Sequence, residues 1–265
     1  MIVAYVAFNT MDNNALNICK EEDLNEVAES IQNDLRLIRN WLKKQPHLNV
    51  RDDDKSLLIF LRSSKYSIQR TKEKLDNYYS MFTLLPEIFE DRDPFSADIQ
   101  ALDLNTAAFG VYVVSDLGKC SVKYVLQFTP NSITKHIYCI ETGYPLRLKG
   151  VQIENCPSAM ELVLSMVNAC LNGKISKRLH VYKANSNLKG LQKEIPIELM
   201  PIEYGGNNGS IKELGAIWKK KVESYRDWFL DNAKYKTMED LRLGPPKTSA
   251  DELGLDGSFR KLDID

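Results

Sequence analysis

The sequence predicts an α/β protein: an N-terminal helical module followed by a mainly parallel sheet flanked by helices. Three observations carry this. Apolar residues recur at intervals of three and four from Leu24 to Phe82, the spacing of helices that bury one stripe. From Gly110 onward, short β-branched runs alternate with helical stretches. The segments joining those runs are long enough to be crossovers, which implies right-handed βαβ units and parallel pairing.

Residues 21–95 read as the module. Leu24, Val27, Ile31, Leu35, Ile38 and Leu42 form the stripe of a first helix, with Lys43, Lys44 and Pro46 as its ending. A second helix starts at Asp52-Asp53-Asp54, where carboxylates meet exposed amides, and carries Leu57, Leu58, Phe60 and Leu61. Ser67 is the candidate cap of a third, with Ile68, Leu75, Tyr79 and Phe82 on one side; Leu85-Pro86 and Asp91-Arg92-Asp93-Pro94 end the module.

Residues 96–230 read as the sheet domain. Val111-Tyr112-Val113-Val114 is a short strand closed by the turn Asp116-Leu117-Gly118. Thr129-Pro130 opens a helix by N-cap and first-turn proline, with Ile133, Ile137 and Ile140 at helical spacing. Residues 148–155 form a second strand, Pro157 starts a helix with Met160, Val163, Leu164, Val167 and Leu171, and Leu179-His180-Val181-Tyr182 alternates as a third strand. Gly205-Gly206-Asn207-Asn208-Gly209 is a turn, and Ser210-x-x-Glu213 is a capping box for a helix carrying Leu214, Ile217, Trp218, Val222, Tyr225 and Phe229. Residues 231–265 form a polar, turn-rich tail. Its Leu253, Leu255, Phe259, Leu262 and Ile264 predict packing along the body.

Residues 1–20 are expected to be poorly ordered. The opening run from Met1 to Phe8 is apolar, but it lacks a basic start, and Asn9-Thr10-Met11-Asp12 makes a poor cleavage site. Met11 would serve equally as a start. Five cysteines without a Cys-x-x-Cys indicate a reduced, cytoplasmic chain. With 35 basic against 36 acidic side chains, bulk nucleic-acid binding is not expected. Nothing approaches the ~18 apolar residues of a membrane span, and a monomer is expected.

Catalytic signatures are scarce: no phosphate loop, dinucleotide fingerprint, nucleophile elbow or His-Glu-x-x-His occurs. No enzyme, cofactor or metal is expected. His136, Cys139 and Glu141 lack a fourth ligand for zinc, and the glycines at 205–209 lack the lysine of an anion loop. The basic residues are more informative. Arg147 and Lys149 flank Leu148 where a helix passes into a strand, while Lys174, Lys177 and Arg178 follow an apolar helix. This arrangement suits an anionic membrane surface; it equally suits cations that complement a helix C-terminus.

Several motifs then converge in order: Phe60-Leu61-Arg62, Phe128-Thr129-Pro130, Tyr144-Pro145-Leu146-Arg147, Ile153-Glu154-Asn155-Cys156-Pro157 and Pro201-Ile202-Glu203-Tyr204-Gly205-Gly206. Together they resemble the CRAL-TRIO (Sec14-like) lipid-carrier family, its α-tocopherol-transfer branch above all. Ser224-Tyr225-Arg226-Asp227-Trp228-Phe229 and Gly257-Ser258-Phe259-Arg260-Lys261-Leu262 look like its insect members. The resemblance implies a closed cavity for one lipophilic molecule such as a retinoid or tocopherol, with the helix after Pro157 as its gate. Alternation on the first strand would turn Val111, Val113 and Ser115 to that cavity, the resemblance adds Phe128, Ile140, Val151 and Ile153, and Met160, Val163 and Leu164 of the gate would cover it. Arg147, Lys149, Lys174 and Arg178 match positions that contact a phosphoinositide headgroup, whereas a fifth basic position, in the module, falls on Ser64 with Lys65 beside it. The resemblance further implies that, between Leu104 and Ala108, several dozen residues that relatives carry are missing, including a first strand and a core helix. Two functions are therefore expected in competition: an intracellular carrier exchanging its ligand at membranes, or a shortened membrane-binding regulator or scaffold without a cavity.

Overall fold

The computed structural model describes residues 28–89, 111–118, 120, 128–184, 191 and 195–253, together with the backbone of residues 3–7. Leu24 and Val27, the turn at 91–94, the junction at 104–108 and the apolar residues from Leu255 onward lie outside the described residues.

Helix starts follow the carboxylates and hydroxyls of the sequence. Helix α1 (Ala28–Leu42) and helix α2 (Asp54–Ser63) are followed by α3 (Ile68–Leu84). Asp53 caps α2, its Oδ1 accepting the Ser56 N–H at 3.0 Å. Ser67 holds the cap position of α3, but its side chain makes no cap bond; its carbonyl instead accepts from Thr71 Oγ1 at 2.8 Å. The turn between α2 and α3 runs through two left-handed residues, Lys65 (φ 53°) and Tyr66 (φ 59°), and the Tyr66 N–H closes it onto the Leu61 carbonyl at 2.9 Å. Leu35, Ile38, Leu57, Phe60, Leu61, Leu75 and Tyr79 meet in one core. The short α4 (Pro86–Phe89) stacks Phe89 on Phe82 with ring centroids 4.7 Å apart.

A four-stranded sheet has the order β1 (Val3–Ala7), β2 (Val111–Asp116), β3 (Leu148–Cys156) and β4 (Leu179–Lys183). Strands β2, β3 and β4 are parallel, and β1 is antiparallel on β2. Mixed α/β architecture with three parallel strands and flanking helices is consistent with the Sec14-like expectation. Within the stretch expected to be poorly ordered, residues 3–7 are a strand: an uncharged run of Val, Ala and Tyr pairs with an edge that would otherwise leave backbone groups unmatched.

The β2–β3 crossover contains α5 (Pro130–Tyr138) and a π-turn (Cys139–Gly143). Thr129 caps α5 through its Oγ1, which accepts from Ser132 N at 3.1 Å. Ile140, expected on the α5 stripe, falls in the π-turn, whose wider winding carries it out of register, and it is 40% exposed. Gly143 is required where it stands, because a Cβ there would lie 1.8 Å from Met81 Sδ on α3. This close approach joins module to sheet domain.

The β3–β4 crossover contains a 3-10 turn (Ser158–Met160), α6 (Glu161–Cys170) and the single-turn α7 (Gly173–Ser176). After β4, Gly205 takes φ 81° in the turn that the sequence marks, and the Ser210–Glu213 capping box forms in both directions. The helix it opens is broken in two, α8 (Ile211–Ser224) and α9 (Arg226–Asn232). The step at Tyr225 leaves that ring 47% exposed while Phe229 is buried.

The chain then crosses back over the module. Thr237 bridges to Leu48, and Arg242 lies against Asp76, Ser80 and Glu239. In α10 (Ser249–Leu253), Leu253 packs with Met81, Phe82, Leu85, Phe89 and Tyr138.

Candidate functional site

Parallel register sets the faces of the sheet. Val113 pairs with Val151 and Ser115 with Ile153; Val151 in turn pairs with Leu179, and Ile153 with Val181. Alternation puts these residues on one face. The opposite face carries Val114, Gln152 and Glu154, all buried. There the Glu154 carboxylate accepts the Leu191 N–H at 3.1 Å, and Val114 packs with Leu191, Ile195 and Met200.

Gln152 and Glu154 of β3 are therefore sealed, while Val151 and Ile153 between and beside them are not. Val113, Ser115, Val151 and Ile153 are half-buried and Val181 is 42% exposed. Burial normally goes the other way, so a half-exposed apolar strip opposite a sealed polar face is the informative feature.

At the C-terminal end of this face the strip runs into an apolar cluster. Ile153 meets Leu117, Ile133, Ile137, Cys156, Met160 and Val163, with Phe128 and Leu164 packed around them. Sheet, α5 and α6 thus bring together five of the sequence candidates: Phe128, Ile153, Met160, Val163 and Leu164. Val113, Ser115 and Val151 share the strip. Val111 is buried at the start of β2, and Ile140 stands apart at the surface. Helix α6 is apolar on both sides: Val163 is 3% exposed, yet its neighbour Leu162 is 70% exposed.

The basic residues gather at the other end, where β3 and β4 begin. Register steps from Val111–Leu148 to Tyr112–Gly150, so Lys149 is the unmatched residue of a bulge and projects as an exposed side chain. The Arg178 carbonyl accepts the Val151 N–H at 2.8 Å, and its guanidinium donates to the Leu148 carbonyl. Arg147 offers its carbonyl to Val111 N at 2.9 Å. Asn172 caps α7, accepting from Lys174 N and Ile175 N, both at 3.0 Å, while its own N–H donates to Glu141 at 2.8 Å.

One cation was not legible in the spacing. Lys74 of α3 is half-buried, and burial together with the charge of Lys174 holds its pKa below the ordinary lysine value. The module thus brings a cation to this end of the sheet through Lys74. Ser64 is buried at 5% exposure, and Lys65 points into solvent.

A polar node fixes the strand ends near the apolar cluster. Asp116 Oδ1 accepts from Asn155 Nδ2 at 3.0 Å and Gly118 N at 2.9 Å, and its Oδ2 accepts from Tyr204 Oη at 3.0 Å. Asn155 takes φ 52°, a conformation asparagine tolerates better than most residues. Two of the motifs quoted above therefore meet at one carboxylate.

Among the described residues no group of three or more His, Cys, Asp and Glu could hold a metal. His136 Nδ1 lies 2.6 Å from the Ser132 carbonyl, and the buried Cys139 thiol is pushed up to about 12 by burial. No helix among them is long and apolar enough to cross a membrane.

Fold and site together define a mixed α/β domain with an apolar sheet face, a largely apolar helix over one end and cations at the other. The Pinta-like, UBA domain family matches residues 27–99, which contain the described helices of the module. The chain is similar to Alpha-tocopherol transfer protein-like of Homo sapiens, with 24% identity over 79% of this chain and 74% of the relative. The Mus musculus protein of that name is 25% identical over 72% of this chain and 69% of its own length. Clavesin-2 of Mus musculus is 21% identical over 69% of this chain and 71% of the relative. The chain is a relative of these proteins, which supports a CRAL-TRIO relationship.

Proposed function

We propose that this protein is a non-enzymatic carrier that holds a lipophilic small molecule against the apolar face of its sheet and exchanges it at an anionic membrane surface. The observation that carries the reading is the half-exposed apolar strip Val113, Val151, Ile153 and Val181, which runs into the cluster under α6. An apolar ligand laid there would remove hydrocarbon from water at roughly 25 cal/mol per Å², and no catalytic group is needed for that. The relatives' printed name, Alpha-tocopherol transfer protein-like, supports the same class of ligand. In this reading α6 is the gate, and Arg147, Lys149, Lys174 and Arg178, joined by Lys74, meet the anionic headgroups, a phosphoinositide among them.

A second reading has its own observation. Val181 at 42% exposure leaves the strip open rather than enclosed. The match to the human relative spans 258 aligned residues, more than the share of this chain it takes in, which supports a chain shortened relative to its relatives. A protein with the basic edge but no enclosed cavity would be a membrane-bound regulator or scaffold.

Organic extraction of the purified protein followed by mass spectrometry separates the two. A carrier yields a lipophilic molecule in near-stoichiometric amount, and the yield falls when Val151→Asp places a charge on the strip. Protein that carries no lipid, and takes none from vesicles containing retinoid, tocopherol and bulk lipids, is the scaffold.

A further inference from the structure

Strand β1 is attached to the sheet in an unusual way. It pairs antiparallel with β2 over five positions, from Val3 opposite Asp116 to Ala7 opposite Tyr112. No hairpin joins the two: β1 lies before the whole helical module, and β2 follows it. Nothing local in the chain fixes β1 on that edge, so its place is held by the pairing itself.

The edge it covers has need of a partner. β2 buries Val111 and Val114 and pairs with β3 along its other side. Without β1, its backbone donors and acceptors on the near side would form an open edge, which pairs readily with any suitable strand. The occupant is well made for this. Val3-Ala4-Tyr5-Val6-Ala7 contains no glycine, proline or charge, and Asn9, Asp12, Asn13 and Asn14 follow as turn-prone residues. A strand supplied from a remote segment and held by main-chain bonds behaves as a docked peptide does in strand addition.

We propose that the free edge of β2 is a strand-acceptor site, that residues 3–7 occupy it in cis, and that the same peptide docks there in trans on a chain that lacks it. The sheet is then completed by the chain's own N-terminal segment. The proposal is independent of the ligand reading, since it concerns the edge of the sheet and not its apolar face.

Hydrogen–deuterium exchange tests it. In the full chain, amides within Tyr112–Asp116 are protected. In a chain shortened to begin at Met11, those facing the vacated edge exchange at least ~10-fold faster. A synthetic peptide of residues 1–10 restores the protection, and the same peptide with Tyr5→Pro, which removes a donor and is excluded from a paired strand, does not.

Cross-linking of the full chain covers a shortened chain that fails to fold. Neighbouring antiparallel pairs alternate between narrow and wide spacing, so Ala4→Cys with Ser115→Cys or Tyr5→Cys with Val114→Cys falls at disulfide distance. One of these two pairs is expected to close within a single chain by peptide mapping, while the off-register pair Tyr5→Cys with Tyr112→Cys stays open. Bonds only between chains, no bond in either pair, or β2 exchange unchanged by loss of residues 1–10 would each overturn the proposal.

Discussion

Replacing Lys149 and Lys174 by alanine isolates the proposed membrane role of the basic edge from its structural role. Both side chains are exposed. Lys149 is the unmatched residue of the β3 bulge, and Lys174 contributes a backbone N–H, not its ammonium, to the cap formed by Asn172. Arg178 is the wrong residue to remove, since its guanidinium donates to the Leu148 carbonyl and its loss costs roughly 1–3 kcal/mol of stability. A cation near an anionic surface is worth about 1 kcal/mol. The double variant should therefore bind anionic vesicles roughly 30-fold more weakly, with a shallower dependence on salt. Its unfolding free energy should stay within about 0.5 kcal/mol of the parent. Vesicle co-sedimentation at several salt concentrations and urea denaturation on one preparation measure both quantities. Unchanged binding in a folded double variant refutes the assignment of this edge to the membrane.

Two further outcomes follow from burial and charge. Leu162→Asp on α6 should leave stability unchanged, because the side chain is 70% exposed, and should slow transfer between vesicles about tenfold by charging a surface worth ~1.5–3 kcal/mol when buried. Unaltered transfer removes α6 as the membrane-facing gate; Val163→Asp is a poor substitute, since its charge would enter the core. Arg242→Met should lose about 3 kcal/mol and lower Tm by roughly 6–12 °C. Arg242 donates to Asp76 at 2.9 and 3.1 Å and to Glu239 at 2.5 and 2.8 Å. Burial alone would raise both carboxyls, but these bonds and those from Lys247 outweigh it, lowering Asp76 and holding Glu239 at about 2. Depressed carboxylates stabilise the fold above their unfolded values and lose that contribution as protons return, so parent stability should fall between about pH 4.5 and pH 2. A parent curve that is flat there, or one that the variant reproduces, rejects the network as the acid-sensitive element.

Elements whose cause is local were legible in the sequence. The α2 cap at Asp53, the α5 cap at Thr129 and the Ser210–Glu213 box form because their donors and acceptors lie within one turn of each other. The three parallel strands follow from short β-branched runs between crossovers. Elements whose cause lies far along the chain were not legible. Ile140 fits a helical stripe by spacing, but α3 packing at Gly143 is met by a π-turn that rotates it outward. Strand β1 has no signal beyond an uncharged β-branched run, because what makes it a strand is an edge that the chain forms after the whole module has intervened.

The candidate site divides along the same line. Alternation alone gives Val113 and Ser115 a common face, and parallel register then adds Val151 and Ile153 to it. Which face stays more open is not in that pattern: hydropathy would seal the apolar side and expose Gln152 and Glu154, whereas Leu191, Ile195 and Met200 pack on the polar side. The basic edge likewise has a local part and a distant one. Arg147 and Lys149 are adjacent to the strand start, whereas Lys74, far along the chain on α3, comes within electrostatic reach of Lys174 only through the tertiary fold. A half-buried lysine whose electrostatic neighbour is another cation is costly unless an anion joins them. In the proposed carrier, that cost favours an anionic headgroup between α3 and the starts of β3 and β4 over one bound to either alone.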